Sequence, residues 1–171
     1  MFKISGSLQD WCGQSFVQLN RRKGGWRMRL FSYFQGEGDQ DREVGDAWTE
    51  DGLWIQLRLD PRGLPVGEIS VIPGMLSFRF SQRPLAVEKA RAKLEESGER
   101  YLYTLKYPKS GRLLELEADL AFPHVIRTWR ERGGRGRKMT TGTLTHLRSQ
   151  VEYWRMNRRE DWSERESLGL Q

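Results

Sequence analysis

One cysteine and two histidines are all the thiol and imidazole ligands that the 171 residues hold. Cys12 alone can form neither an intramolecular disulfide nor a multi-cysteine zinc site, and it suits a reducing compartment. His124 and His146 stand in no Cys/His ligand spacing, which leaves zinc hydrolysis without a basis. Neither Cys12 nor His146 has the flanking residues of a nucleophile and its base. Long apolar runs are also missing. No stretch approaches the roughly 18 residues of a membrane span, and Met1 to Gly6 lacks the apolar centre of a signal peptide, so a cytoplasmic location is expected. There is no long Pro/Ser-rich linker, no internal repeat and no low-complexity segment, which argues for one domain with an extension rather than two equal domains. No cofactor is expected.

Aromatics are plentiful, with seven Trp, seven Phe and five Tyr, so the chain can bury a substantial core although 30% of its residues are charged. Its excess of positive charge is confined. Between Arg127 and Arg159 ten Arg/Lys residues face only Glu131 and Glu152, a balance of +8 within a chain total of +6. Nine of those ten are arginine, whose planar fork suits phosphate oxygens. A surface so polarised attracts a polyanion through counterion release, so the expected partner is nucleic acid, DNA or RNA.

The first eighty residues read as strands and turns. Phe16 to Leu19 and the run from Trp26 flank Arg21-Arg22-Lys23-Gly24-Gly25, a hairpin signal. In the second run Trp26, Met28 and Leu30 share one face, while Arg27, Arg29, Phe31 and Tyr33 share the other. Leu53, Ile55, Leu57 and Leu59 alternate in the same way ahead of Asp60-Pro61-Arg62-Gly63. Glu68 to Ile72 and Met75 to Phe80 flank Pro73-Gly74 as two more strands. Pro84 opens an expected helix over 84–97, stopped by Ser97-Gly98, with Val87, Ala90 and Leu94 as its stripe. Tyr101, Tyr103, Leu105 and Tyr107 then alternate, as do Leu114, Leu116, Ala118 and Leu120, about a Pro108-Lys109-Ser110-Gly111 turn. Periodicity makes this pair a hairpin. A second helix is expected from Pro123 to Gly133-Gly134, and a third from Thr141 or Thr143 to about Arg158 with Leu144, Leu147, Val151 and Trp154 inward.

The expected fold is therefore α+β: an antiparallel β-meander with one packed helix, a β-hairpin in the C-terminal half and two basic C-terminal helices. Residues 1–122 form the sheet domain, 123–159 a basic helix-loop-helix extension packed on the same core, and 160–171 a flexible acidic tail.

Phosphates are expected to meet Arg127, Arg130, Arg135, Arg137, Lys138 and Thr141, with Gly133, Gly134 and Gly136 freeing the backbone and the next helix's N-terminal amides completing an anion site. Arg148, Arg155, Arg158 and Arg159 lie outside the third helix's stripe and extend the surface. Arg22, Lys23 and Arg27, beside Phe31 and Tyr33, form a second basic segment of the kind that holds single strands, with bases stacked on rings. The reading is a non-catalytic nucleic-acid-binding protein, a subunit of a nucleoprotein assembly. An alternative is an assembly module or homo-oligomer in which the basic helices dock on the acidic stretch 37–51 of a neighbour.

That stretch holds Glu37, Asp39, Asp41, Glu43, Asp46, Glu50 and Asp51. It imitates a calcium-binding loop at four positions, but Val44 stands where glycine is required, so a solvated loop is expected and no metal. A third reading, a metal-dependent nuclease built from Asp46, Glu50, Asp51 or Glu68, has no spacing to mark it.

Overall fold

A computed structural model describes residues 2–10, 13–81, 84–134, 139–167 and 169. Two sheets carry the fold. The first is a four-stranded antiparallel meander of β1 (Lys3–Asp10), β2 (Gly13–Arg22), β3 (Gly25–Ser32) and β4 (Gln40–Gly45), paired in that order. The second has seven strands: β5 (Trp48–Thr49), β6 (Gly67–Ile72), β7 (Glu88–Ser97), β8 (Arg100–Tyr107), β9 (Arg112–Asp119), β10 (Ile126–Arg132) and β11 (Met139–Thr143). They lie in the order β11 to β5, antiparallel throughout except for the short parallel β5/β6 pair.

The hairpins follow from their sequence. Lys23-Gly24 closes β2 onto β3, with Gly24 at a φ of 86° that a side chain would oppose. Val17, Leu19, Trp26, Met28 and Leu30 all point into one core, as their alternation requires. Gly111, at φ 71°, closes β8 onto β9, and Tyr101, Tyr103, Leu105 and Tyr107 are buried with Leu114, Leu116 and Ala118 in the other core. These three tyrosines are sheet packing. The two cores share β6 as a wall: Ile69 and Val71 face the larger cluster and Ile72, of opposite parity, the smaller.

The α+β class and the antiparallel meander expected from the sequence are what the structure shows, but the helices sit elsewhere. The Leu53 to Leu59 segment is α1 (Glu50–Leu59), not a strand. Leu53 and Leu57, four apart, are buried against the larger sheet, while Ile55 and Leu59 are exposed. Glu50 and Asp51 supply the negative first turn that a helix N-terminus favours. Met75 to Phe80 likewise belongs to α2 (Met75–Ser81), whose Phe78 amide donates to the Gly74 carbonyl at 2.9 Å.

The helix expected over 84–97 is instead β7. Ala90 and Ala92 are buried on one face while Lys89, Arg91 and Lys93 are exposed on the other, and pairing with β6 and β8 on both sides outweighs the helix propensity of Ala, Lys and Glu. The helix expected from Pro123 is β10, which lays Trp129 opposite Leu116 on the core face. The third helix is replaced by β11 and an irregular tail with single 3₁₀ turns at Tyr153–Arg155 and Arg159–Asp161. Among the described residues its stripe belongs to neither core, with Leu147 and Trp154 exposed, and a lone helix of that length is marginal in water. The tail segment expected from residue 160 onward contains the short helix α3 (Trp162–Glu166).

Candidate nucleic-acid interface

Parity along β2 and β3 turns one set of residues away from the core. With Val17 and Leu19 inward, Phe16, Gln18 and Asn20 face out; with Met28 and Leu30 inward, Arg27, Arg29 and Phe31 face out. The register sets Phe16 opposite Phe31, Gln18 opposite Arg29 and Asn20 opposite Arg27. The two phenyl rings lie 6.2 Å apart and 31° from parallel. Tyr33 continues the row at 75% exposure, and Phe31 is 48% exposed. Gly13 makes room for Tyr33, because a Cβ there would come within 2.6 Å of the tyrosine ring. Ser5 and Ser7 of β1 complete the face opposite Gln18 and Phe16. The result is a sheet surface of two neighbouring phenyl rings with the Tyr33 ring farther along the row, amides and hydroxyls, bordered on β4 by Asp41 and Glu43.

Cations border it. Arg22 and Lys23 at the β2/β3 tip are exposed and, among the described residues, hold no carboxylate. Arg27 grips Asp41 through Nε at 2.7 Å and NH2 at 2.9 Å, and Arg29 reaches the same carboxylate at 3.3 Å. The Arg27 hydrogen bond holds the Asp41 carboxyl below the usual carboxylate range. Arg21 points to the other side, toward Asp46 at 2.7 Å.

The stretch from Arg127 to Arg159 is arranged differently from the expectation. The loop is flanked by strands, so no helix N-terminus follows it and no helical amides complete an anion site. Arg135, Arg137 and Lys138 lie outside the described residues. Gly134 packs against the Ser110 backbone, and Gly142 leaves space for the Trp129 indole, so two glycines of this region serve packing. Thr141 stands on exposed β11 opposite Arg130.

Five of the described cations in this stretch hold carboxylates of their own chain. Arg127 binds Asp119 at 2.8 Å, Arg130 binds Glu117 at 3.3 Å, Arg155 binds Glu152 at 2.9 Å and Arg158 binds Glu160 at 3.2 Å. Arg148 pairs with Glu164, and Arg159 lies over the Trp162 ring at 5.8 Å. Four of those five carboxylates lie outside the basic stretch, two on β9 and two beyond Arg159. The fold sets them against it.

A buried polar cluster escaped the sequence reading altogether. Arg112 on β9 donates to Glu50 at 2.5 and 2.7 Å and to Glu131 at 2.6 Å, and the Tyr107 hydroxyl donates to Glu50. Burial opposes the charge on Arg112, but these hydrogen bonds outweigh it and its pKa rises. Burial drives the Tyr107 hydroxyl well above its ordinary value. Beside them burial pushes Asp51 up to about 6, although Oδ2 accepts from the Met75 amide at 3.2 Å. No local spacing marks this cluster, since Glu50 and Arg112 are 62 residues apart.

The four carboxylates considered for a nuclease do not converge as one set, although Glu50 and Asp51 both lie beside Gly74 at the start of α1. Asp46 is engaged by Arg21, Glu68 by Arg91 at 3.3 Å, Glu50 by Arg112 and Asp51 by a backbone amide. The stretch that imitates a calcium loop contains β4, which spreads Asp41 and Glu43 along a strand. Among the described residues, no three His, Cys, Asp or Glu side chains converge as a metal site. Nor is any helix long and apolar enough to cross a membrane.

Comparison with known proteins found no matching family model, no similar curated protein and no similar solved structure.

Proposed function

We propose that the protein is a non-catalytic binder of single-stranded nucleic acid, a subunit of a nucleoprotein assembly, and that it uses the outer face of the β1 to β4 sheet. The observation that carries this reading is the row Phe16, Phe31 and Tyr33 on an uncovered sheet, with Arg22, Lys23, Arg27 and Arg29 beside it. Bases stack on exposed rings whatever their identity, and the cations follow the backbone. Gln18 and Asn20 can hydrogen-bond base edges, and Ser5 can reach phosphate or sugar oxygens. A duplex hides its base faces, so the platform favours single strands. Asp41 holds Arg27 and Arg29 until a phosphate competes for them.

The test is a fluorescence-anisotropy titration with matched single- and double-stranded oligonucleotides at two salt concentrations. Single strands are expected to bind more tightly than duplex. Tyr33→Ala and Phe31→Ala are each expected to remove about 1–3 kcal/mol of binding, the worth of one stacked base. Equal binding of both forms, or no effect of either substitution, defeats the proposal.

Assembly through the acidic stretch 37–51 is the weaker reading. Asp41, Asp46 and Glu50 already hold arginines of their own chain.

A further inference from the structure

Core coverage thins toward one edge of the first sheet. The inward residues of β2 and β3, Val17, Leu19, Met28 and Leu30, are at most 4% exposed. Ile4 and Leu8, the inward residues of β1, are only half-buried, and Phe2 at the head of the same row is 81% exposed. Met75 of α2 covers the middle of that row, since a Cβ on Gly6 would come within 2.6 Å of its sulfur. The ends of the row are left open.

The backbone of that edge is open as well. The Arg21 amide donates to the Phe2 carbonyl at 2.8 Å, and alternation along the antiparallel pair commits Ile4, Gly6 and Leu8 to β2 in the same way. Lys3, Ser5, Ser7 and Gln9 therefore turn their amides and carbonyls away from β2, and among the described residues no strand takes them.

Natural sheets guard their edges with charge, proline, bulges or short strands. β4 carries Asp41, Arg42 and Glu43, and β5 is two residues long. β11 has no half-covered apolar row to complete, because Met139, Thr140, Thr141 and Thr143 are all exposed. β1 is guarded by none of these. It runs for eight residues in unbroken register, and from Ile4 to Gln9 it holds neither charge nor proline.

A strand that completes this edge must be apolar on the core side and small and polar on the outer side. β1 has that pattern itself, with Ile4 and Leu8 inward and Ser5 and Ser7 outward. We infer that two copies of the chain pair through β1, antiparallel about a twofold axis at Gly6, into one continuous sheet. This register pairs all four outward residues, Lys3 with the partner's Gln9 and Ser5 with the partner's Ser7. It sets Ile4 beside the partner's Leu8 on the core side, and no like charges meet. The interface is isologous and closes at two copies. The pairing does not depend on what the outer face binds.

Sedimentation velocity of the full chain, without nucleic acid and up to about 100 μM, is expected to show twice the chain mass. The Ser5 and Ser7 amides are expected to be protected from hydrogen exchange in the concentrated sample and to exchange freely on dilution. Both serines are exposed, so changing their side chains leaves the monomer intact, as circular dichroism checks. Ser5→Lys with Ser7→Lys sets lysine against lysine across the twofold and is expected to weaken the dimer about tenfold. Ser5→Lys with Ser7→Glu sets lysine against glutamate in this register and is expected to leave the dimer at least as tight as the parent's. A parent chain that stays monomeric overturns the inference, as does a dimer whose Ser5 amide exchanges freely or that ignores the lysine pair. Loss of the dimer in both charge variants overturns the register.

Discussion

Arg112 lies almost wholly out of water between Glu50 and Glu131, its guanidinium also stacked on the Tyr107 ring at 5.0 Å. A buried ion pair adds little net stability, because desolvating both charges offsets their attraction, but removing one partner strands the other. Arg112→Met is therefore expected to lower the unfolding free energy by about 3–5 kcal/mol in urea titrations, and Glu50→Gln in the same chain to restore part of it. Asp51 behaves in the opposite sense. Its folded pKa of about 6 lies above the ordinary 3.8, so the fold favours the protonated acid. That contribution is fully present below pH 3.8 and is lost as pH rises through about 6, with a size of at most ~3 kcal/mol. Asp51→Asn fixes the neutral form. It is expected to be more stable than the parent chain at pH 8 and equal to it near pH 3.5, as read from paired urea midpoints.

At the scale of elements, strands and helices compete for the same apolar residues. Leu53, Ile55, Leu57 and Leu59 satisfy both periods, since alternate residues include pairs four apart. The helix prevails where the acidic first turn and the Asp60-Pro61 stop agree with it, the Gly63 amide donating to the Asp60 carboxylate at 3.2 Å. The tail shows the converse. Leu144, Leu147, Val151 and Trp154 keep helical spacing, yet none belongs to either core. Without a surface to cover, the stripe has no gain to set against the conformational entropy of ordering it. Deleting residues 145–171 is accordingly expected to change the unfolding free energy by no more than about 0.5 kcal/mol, provided the Leu144 amide keeps its bond to the Arg127 carbonyl.

Across the whole molecule, charge is redistributed by folding. The sequence is polarised, but Asp119, Glu117, Glu160 and Glu164 are set against the basic stretch. The cations left without carboxylates among the described residues include Arg22 and Lys23, at the end of the aromatic face. If those two contact phosphates, Arg22→Ala with Lys23→Ala is expected to reduce the slope of log K against log salt by about 1.4, at ~0.7 per phosphate contact on a single strand. Substituting Arg130 and Arg158, which are already paired, is expected to change the slope far less.

What the sequence determined by itself is local: the two hairpins, their turn glycines and which side chains share a strand face, because alternation and turn chemistry act within a few residues. Arg27, Arg29, Phe31 and Tyr33 were legible as one surface for that reason. Phe16 joins them only through the register with Phe31. The tertiary structure alone decided that 88–97 and 126–132 are strands, because a strand needs hydrogen-bonding neighbours that helix propensity does not register. It also decided which arginines stay free and that Glu50 meets Arg112. Coulomb attraction depends on distance in space, and carboxylates far along the chain become neighbours only once the sheet is assembled.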